Sequence, residues 1–198
     1  MEQALSKMVV KAGALALTFV LLAACSPKLN WRTVQSPDQH YTALFPGKPE
    51  KINRQTTYQD QGLAQTLEAL KIDDDIYSIS TIKLTNKQAA LTPSIVAQLQ
   101  ANLLERAKAE GGLVVAEDGV YQTTNHQLLP IKDHLISFVE NGKVQQTMRV
   151  RWITRLSDSG AMFVYQISVL HTNRDSIDAK LLLTKEEYAN FFNEFYPE

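Results

Sequence analysis

The chain predicts an α+β domain, an antiparallel β-sheet with helices packed on it. Two observations carry that expectation. Asn141-Gly142 sits between two β-rich runs, and this pair is the strongest short-range hairpin signal because a type I′ turn needs positive φ twice. The order of candidate elements is hairpin, strands, helix, three-stranded meander, helix, which places helices on an antiparallel sheet.

Short strand-like runs at 31–34 and 41–44 flank Ser36-Pro37-Asp38-Gln39, a turn in which proline presets one dihedral and Asp can bond its own backbone. Phe45-Pro46-Gly47-Lys48-Pro49 ends this hairpin, since proline cannot donate to a ladder. Strands are expected near 51–58, 65–72 and 76–84, the last two joined by Asp73-Asp74-Asp75. A helix is expected over 93–110, capped by Thr92, opened by Pro93 and stopped by Gly111-Gly112. Val96, Leu99, Leu103 and Ala107 make one apolar stripe on it. Further strand-like runs lie at 113–116, 131–140, 143–156 and 161–171, with Glu117-Asp118-Gly119 read as a turn and Ser157-Asp158-Ser159-Gly160 as another. A last helix is expected from Thr184, with Glu187 completing a capping box. Tyr188, Phe191, Phe192 and Phe195 form its apolar face, and Pro197 ends it.

The opening differs in kind from the rest of the chain. Lys7 and Lys11 precede a stretch, 12–24, that is apolar or small apart from Thr18. It has the parts of a secretory signal and is too short to span a bilayer, which needs about 20 apolar residues. Leu22-Ala23-Ala24-Cys25 then resembles the lipobox of bacterial lipoproteins. The resemblance implies that 1–24 is removed and that Cys25, the only cysteine, becomes the acylated N-terminus. Each buried methylene contributes about 0.8 kcal/mol of membrane affinity. Ser26 after the cysteine resembles the outer-membrane sorting class of a Gram-negative envelope. The implied organisation is a signal peptide (1–24), a lipidated cysteine with its tether (25–30) and one α+β domain (31–198) facing the periplasm.

Composition narrows function by exclusion. Removing Lys7, Lys11 and Glu2 with the signal from 20 basic and 21 acidic residues leaves 18 against 20. This near-neutral balance gives no electrostatic case for nucleic acid. With a single cysteine no internal disulfide can form, so stability must come from the core.

Trp31, Ser36-Pro37, Tyr41 and Phe45-Pro46-Gly47-Lys48-Pro49 resemble the opening of a group of uncharacterised secreted bacterial proteins. With the meander and the final helix they are also similar to the Mog1/PsbP-like α/β/α sandwich. That likeness implies a fold and no activity.

Each candidate site also has an ordinary structural use. Asp73, Asp74 and Asp75 could attract Ca²⁺ but lack EF-hand spacing, so a solvated turn is expected. His40, His126, His134 and His171 show no metal-ligand spacing, and no nucleophile motif occurs. No cofactor or metal is expected, nor an enzyme. Trp31, Tyr41 and Phe45 could shelve a ligand, with packing the expected use. If the 141–142 hairpin keeps an unbroken register, His134 faces Arg149 and Lys132 faces Arg151. A four-residue turn at 157–160 then sets Arg149 opposite Ser168 and Arg151 opposite Gln166. Lys132, His134, Arg149 and Arg151 would form a basic face for an anion or acidic partner, unless Asp or Glu side chains from the loops, or water, neutralise it. Met148, Val150, Trp152, Tyr165 and Ile167 would form the core layer behind. The expected function is a non-enzymatic envelope lipoprotein that binds another envelope protein or maintains the envelope. The alternatives are a small-anion binder on that face and an envelope hydrolase.

Overall fold

The computed structural model describes residues 29–58, 60–173 and 178–198, so the expected signal peptide and Cys25 lie outside the described residues. The strands are β1 (Arg32–Ser36), β2 (Tyr41–Phe45), β3 (Glu50–Tyr58), β4 (Gln61–Ile72), β5 (Asp75–Leu84), β6 (Leu113–Gln122), β7 (Leu128–Glu140), β8 (Lys143–Leu156), β9 (Met162–His171) and β10 (Phe195–Pro197). The helices are α1 (Thr92–Ala109), α2 (Ala179–Leu183) and α3 (Glu186–Asn193). The fold is α+β. An antiparallel seven-stranded sheet has the order β3-β4-β5-β9-β8-β7-β6, and β1-β2-β10 form a second, smaller sheet.

Both faces of the large sheet are covered, so its central strands are apolar on both sides. Helix α1 lies on one face, where its stripe (Val96, Leu99, Leu103, Ala107) meets Ile136, Phe138, Val150 and Trp152. The small sheet, α2 and α3 cover the other face. There Tyr41, Phe45, Phe191, Phe192 and Phe195 pack on Tyr77, Tyr165, Ile167 and Val169, all at most 1 % exposed.

The opening motif turns out to be the seam between the two sheets. Ser36 Oγ and Tyr41 Oη donate to the two oxygens of buried Glu68 on β4, at 2.7 and 2.8 Å. Burial first, and then the Glu68 charge, push the Tyr41 hydroxyl well above its ordinary pKa. Tyr165 Oη donates to the carbonyls of Gln39 and His40, pinning the turn after Pro37. A Cβ on Gly47 would come within 2.9 Å of Leu70, so the Pro-Gly exit lets the chain pass close to β4.

Several expected boundaries move for local reasons. Thr92 does not cap α1, because a 3₁₀ turn at Ala89–Leu91 already gives the preceding residue helical dihedrals, whereas a side-chain cap needs an extended one. Thr184 does not open the last helix either. A short α2 capped by Asp178 ends there, and the Thr184 hydroxyl donates to the Lys180 carbonyl at 2.6 Å. Phe195 leaves the helix and pairs with Ala43 as part of β10. Pro197 is tolerated because β10 is an edge strand. Glu117-Asp118-Gly119 is not a turn but the middle of β6, paired with Asp133, Lys132 and Ile131.

The largest departure is in β8. Glu140 pairs with Lys143 and Val139 with Val144, as an unbroken hairpin requires, but Phe138 pairs with Gln146. Gln145 is therefore an extra residue in a β-bulge. Asn141 (φ 52°) and Gly142 (φ 71°) make the expected turn, and the slip begins just beyond it. Across β9, Leu156 pairs with Met162 rather than Ala161, because Ser157 N donates to the Ala161 carbonyl and closes a five-residue turn.

Candidate functional site

That single extra residue dissolves the expected basic face. Arg149 now faces Leu135 and Val169, and Arg151 faces Asp133 and Ile167, while His134 faces Val150. Shifting register by one residue turns side chains to the other side of the sheet. Arg149 and Arg151 accordingly point toward α2 and α3, whereas Lys132 and His134 lie on the α1 side. The expected core layer divides in the same way. Met148, Val150 and Trp152 pack with α1, and Tyr165 and Ile167 stand beside the arginines.

The two arginines meet Asp133 in the interior. Arg151 is 1 % exposed. Its Nε and Nη2 donate to Asp133 Oδ1 and Oδ2 at 2.6 and 2.9 Å. Arg149 donates from Nε and Nη2 to Oδ2 at 3.1 and 2.5 Å. Burial works to raise the Asp133 carboxyl, but hydrogen bonding and charge from Arg151, then Arg149, outweigh it and hold the pKa below the ordinary value. One carboxylate cannot balance two guanidinium groups, and the excess positive charge goes to helix ends. Arg149 Nη1 donates to the carbonyl of Leu183 at the end of α2, and Arg151 Nη1 to that of Phe192 near the end of α3. These C-terminal carbonyls carry the partial negative charge of the helix dipole. The Phe192 ring lies 4.2 Å from the Arg149 guanidinium, adding a cation–π contact. The cluster clamps both C-terminal helices to the sheet, and every guanidinium nitrogen of the two arginines makes a hydrogen bond within it.

Lys132 is exposed and pairs with Asp118 at 2.7 Å. His134 stands edge-on to Trp152, ring centroids 5.3 Å apart. Burial, assisted by Lys132 and opposed by Asp133, lowers its pKa. The other histidines are dispersed. His40 holds a left-handed turn position (φ 53°), and His126 contacts Gln122. His171 Nδ1 lies 2.6 Å from Asp75 Oδ1, and Tyr188 donates to the other Asp75 oxygen at 3.0 Å. Asp73 and Asp74 form the β4–β5 turn, with Asp73 at φ 49°. Among the described residues no three His, Cys, Asp or Glu side chains come together as a metal site. Trp31 meets the Tyr77 ring edge-on, and Tyr41 and Phe45 are core.

What the sequence reasoning missed is the outer edge of the large sheet. Its two end strands differ. β3 is largely exposed and carries Glu50, Lys51 and Arg54, charges that discourage pairing with another strand. β6 has no lysine, arginine or proline, and it exposes Leu113 (64 %), Val115 (36 %) and Val120 (55 %). Its two acidic residues are already paired, Glu117 with Lys180 at 2.5 Å and Asp118 with Lys132. The signal was present in the sequence as a ten-residue run without a basic residue. Reading Glu117-Asp118-Gly119 as a turn cut that run in two.

Among the described residues no helix is long and apolar enough to cross a membrane. No known protein family matches the chain, and no curated protein is similar to it. Fold and site together describe an α+β domain with helices on both faces of its main sheet and an edge strand, β6, that has no lysine, arginine or proline.

Proposed function

We propose that this protein is a non-enzymatic lipoprotein of the bacterial cell envelope, tethered through Cys25, that captures another envelope protein by strand addition at β6. The observation that carries the proposal is the β6 edge, whose outer rim is unpaired among the described residues, which exposes Leu113, Val115 and Val120, and which has no lysine, arginine or proline. Strand addition draws affinity from main-chain hydrogen bonds and specificity from alternate side chains. The partner is expected to present an extended segment with apolar residues at alternate positions. The tether is supported by Leu22-Ala23-Ala24-Cys25. Helices on both faces of the sheet support the Mog1/PsbP-like likeness. The alternative of an anion docked on Arg149 and Arg151 loses its support, because each of their guanidinium nitrogens already bonds Asp133 or a helix-end carbonyl in the interior.

Crosslinking in intact cells, followed by purification of the lipidated chain, is the test. A stoichiometric envelope protein should accompany the wild type and be lost on Val115→Lys, with the melting temperature unchanged. Retention of that protein by the variant, or its absence from the wild type, overturns strand capture. Separately, Cys25→Ala should move the protein from the membrane fraction to the soluble one, and retention in the membrane overturns the tether.

A further inference from the structure

The bulge that turns the arginines inward also shapes a cleft. An open cavity of ≈ 610 Å³ lies where the last turn of α1, the end of β7, the start of β8 and Thr172 converge. That volume falls within the range of small-molecule sites. The unpaired Gln145 and its neighbour Gln146 line this cavity from β8, and Phe138, Val139 and Glu140 line it from β7. On the helix side the Arg106 guanidinium lies 5.5 Å from the centre of the Phe138 ring, which backs it.

The lining decides the kind of ligand. Arg106 is the cation among the described lining residues, set against the carboxylates of Glu110 and Glu140. The carboxylates oppose an anion, Arg106 opposes a polycation, and the polar lining opposes an apolar ligand. The Gln146 amide offers donors and an acceptor, and the Gln145 amide, one of whose N–H groups donates to the Lys143 carbonyl at 3.4 Å, keeps its acceptor and a second donor. The carboxylates accept, and Arg106 donates in a plane. Planar groups of mixed polarity around a cavity of this size match vicinal hydroxyls on a sugar ring. We propose that this cleft binds a neutral oligosaccharide. The site is distinct from the β6 edge and does not depend on strand capture.

Calorimetric titration of the purified full chain in detergent tests it, using cellotetraose, maltotetraose, chitotetraose and mannotetraose, with citrate and tetra-alanine as the competing chemistries. At least one tetrasaccharide should bind at concentrations up to about 10 mM. Its affinity should fall about tenfold in Arg106→Ala and in the Gln145→Ala/Gln146→Ala double variant, with melting unchanged. Arg106 is on the exposed helix surface, so that variant decides the matter if the bulge variant does not fold. The proposal is overturned if no tetrasaccharide binds, if the substitutions leave affinity unchanged, or if citrate or tetra-alanine binds in their place.

Discussion

Thr147 is fully buried on β8, between Ser137 and His171 in the ladder, and its hydroxyl has no hydrogen-bond partner among the described residues. A buried hydroxyl left unsatisfied costs about 1–3 kcal/mol. Thr147→Val should therefore raise the urea midpoint by an amount of that order, and an equal or lower midpoint would show that the hydroxyl is satisfied in solution. Asp133 is the opposite case, a buried group on which others depend. Asp133→Ala leaves two buried guanidinium groups without their carboxylate and should cost about 3–5 kcal/mol in urea unfolding. The direction of its pKa shift sets a pH dependence. Because the folded value lies below the unfolded one, the contribution is complete above about pH 4 and disappears as pH falls through the folded value. The wild type should lose stability across that acid window, and Asp133→Ala should show a flatter profile there. None of this is legible in the sequence, where Asp133 has no motif to single it out. The acid that neutralises the arginines lies on the neighbouring strand β7, where loop side chains or water were the expectation.

At the scale of elements, local signals located most of the secondary structure. Asn141-Gly142 marked the hairpin, Gly111-Gly112 the end of α1, and the 3.6-residue stripe the face of α1 that meets the sheet. Glycine at 112 also has a packing role, because a Cβ there would lie 2.2 Å from the Ser137 carbonyl oxygen. Capping was less legible. Thr92 and Thr184 have favourable residue types, but the preceding 3₁₀ turn and the short α2 had already settled their dihedrals. The bulge at Gln145 has no residue-type signature, since glutamine is ordinary in an exposed hairpin arm. Deleting Gln145 should restore an unbroken register and turn Arg149 and Arg151 toward α1. The apolar Met148, Val150 and Trp152 would leave the α1 face at the same time. The deletion variant should lose its near-UV circular dichroism and its cooperative melt, and a native-like spectrum would show that the bulge is dispensable.

Across the whole molecule, two apolar layers lie on opposite faces of one sheet, and the opening motif and the Asp133 cluster each fasten part of the second layer. Ser36 and Tyr41 reach Glu68 from the small sheet, and Arg149 and Arg151 reach the ends of α2 and α3 from β8. Local sequence alone settles the α+β class, the antiparallel meander, the principal helix and the Asn141-Gly142 turn, because each rests on dihedral preference or periodicity within a few residues. Only the tertiary structure decided that the basic residues divide between two faces, that the C-terminal aromatics feed both a helix and a strand, and that β6 is left as an open edge. Those outcomes depend on strand register and on which elements end the sheet. Side chains alternate with a period of two, so one unsignalled extra residue inverts a strand, and the local sequence has no means of counting it.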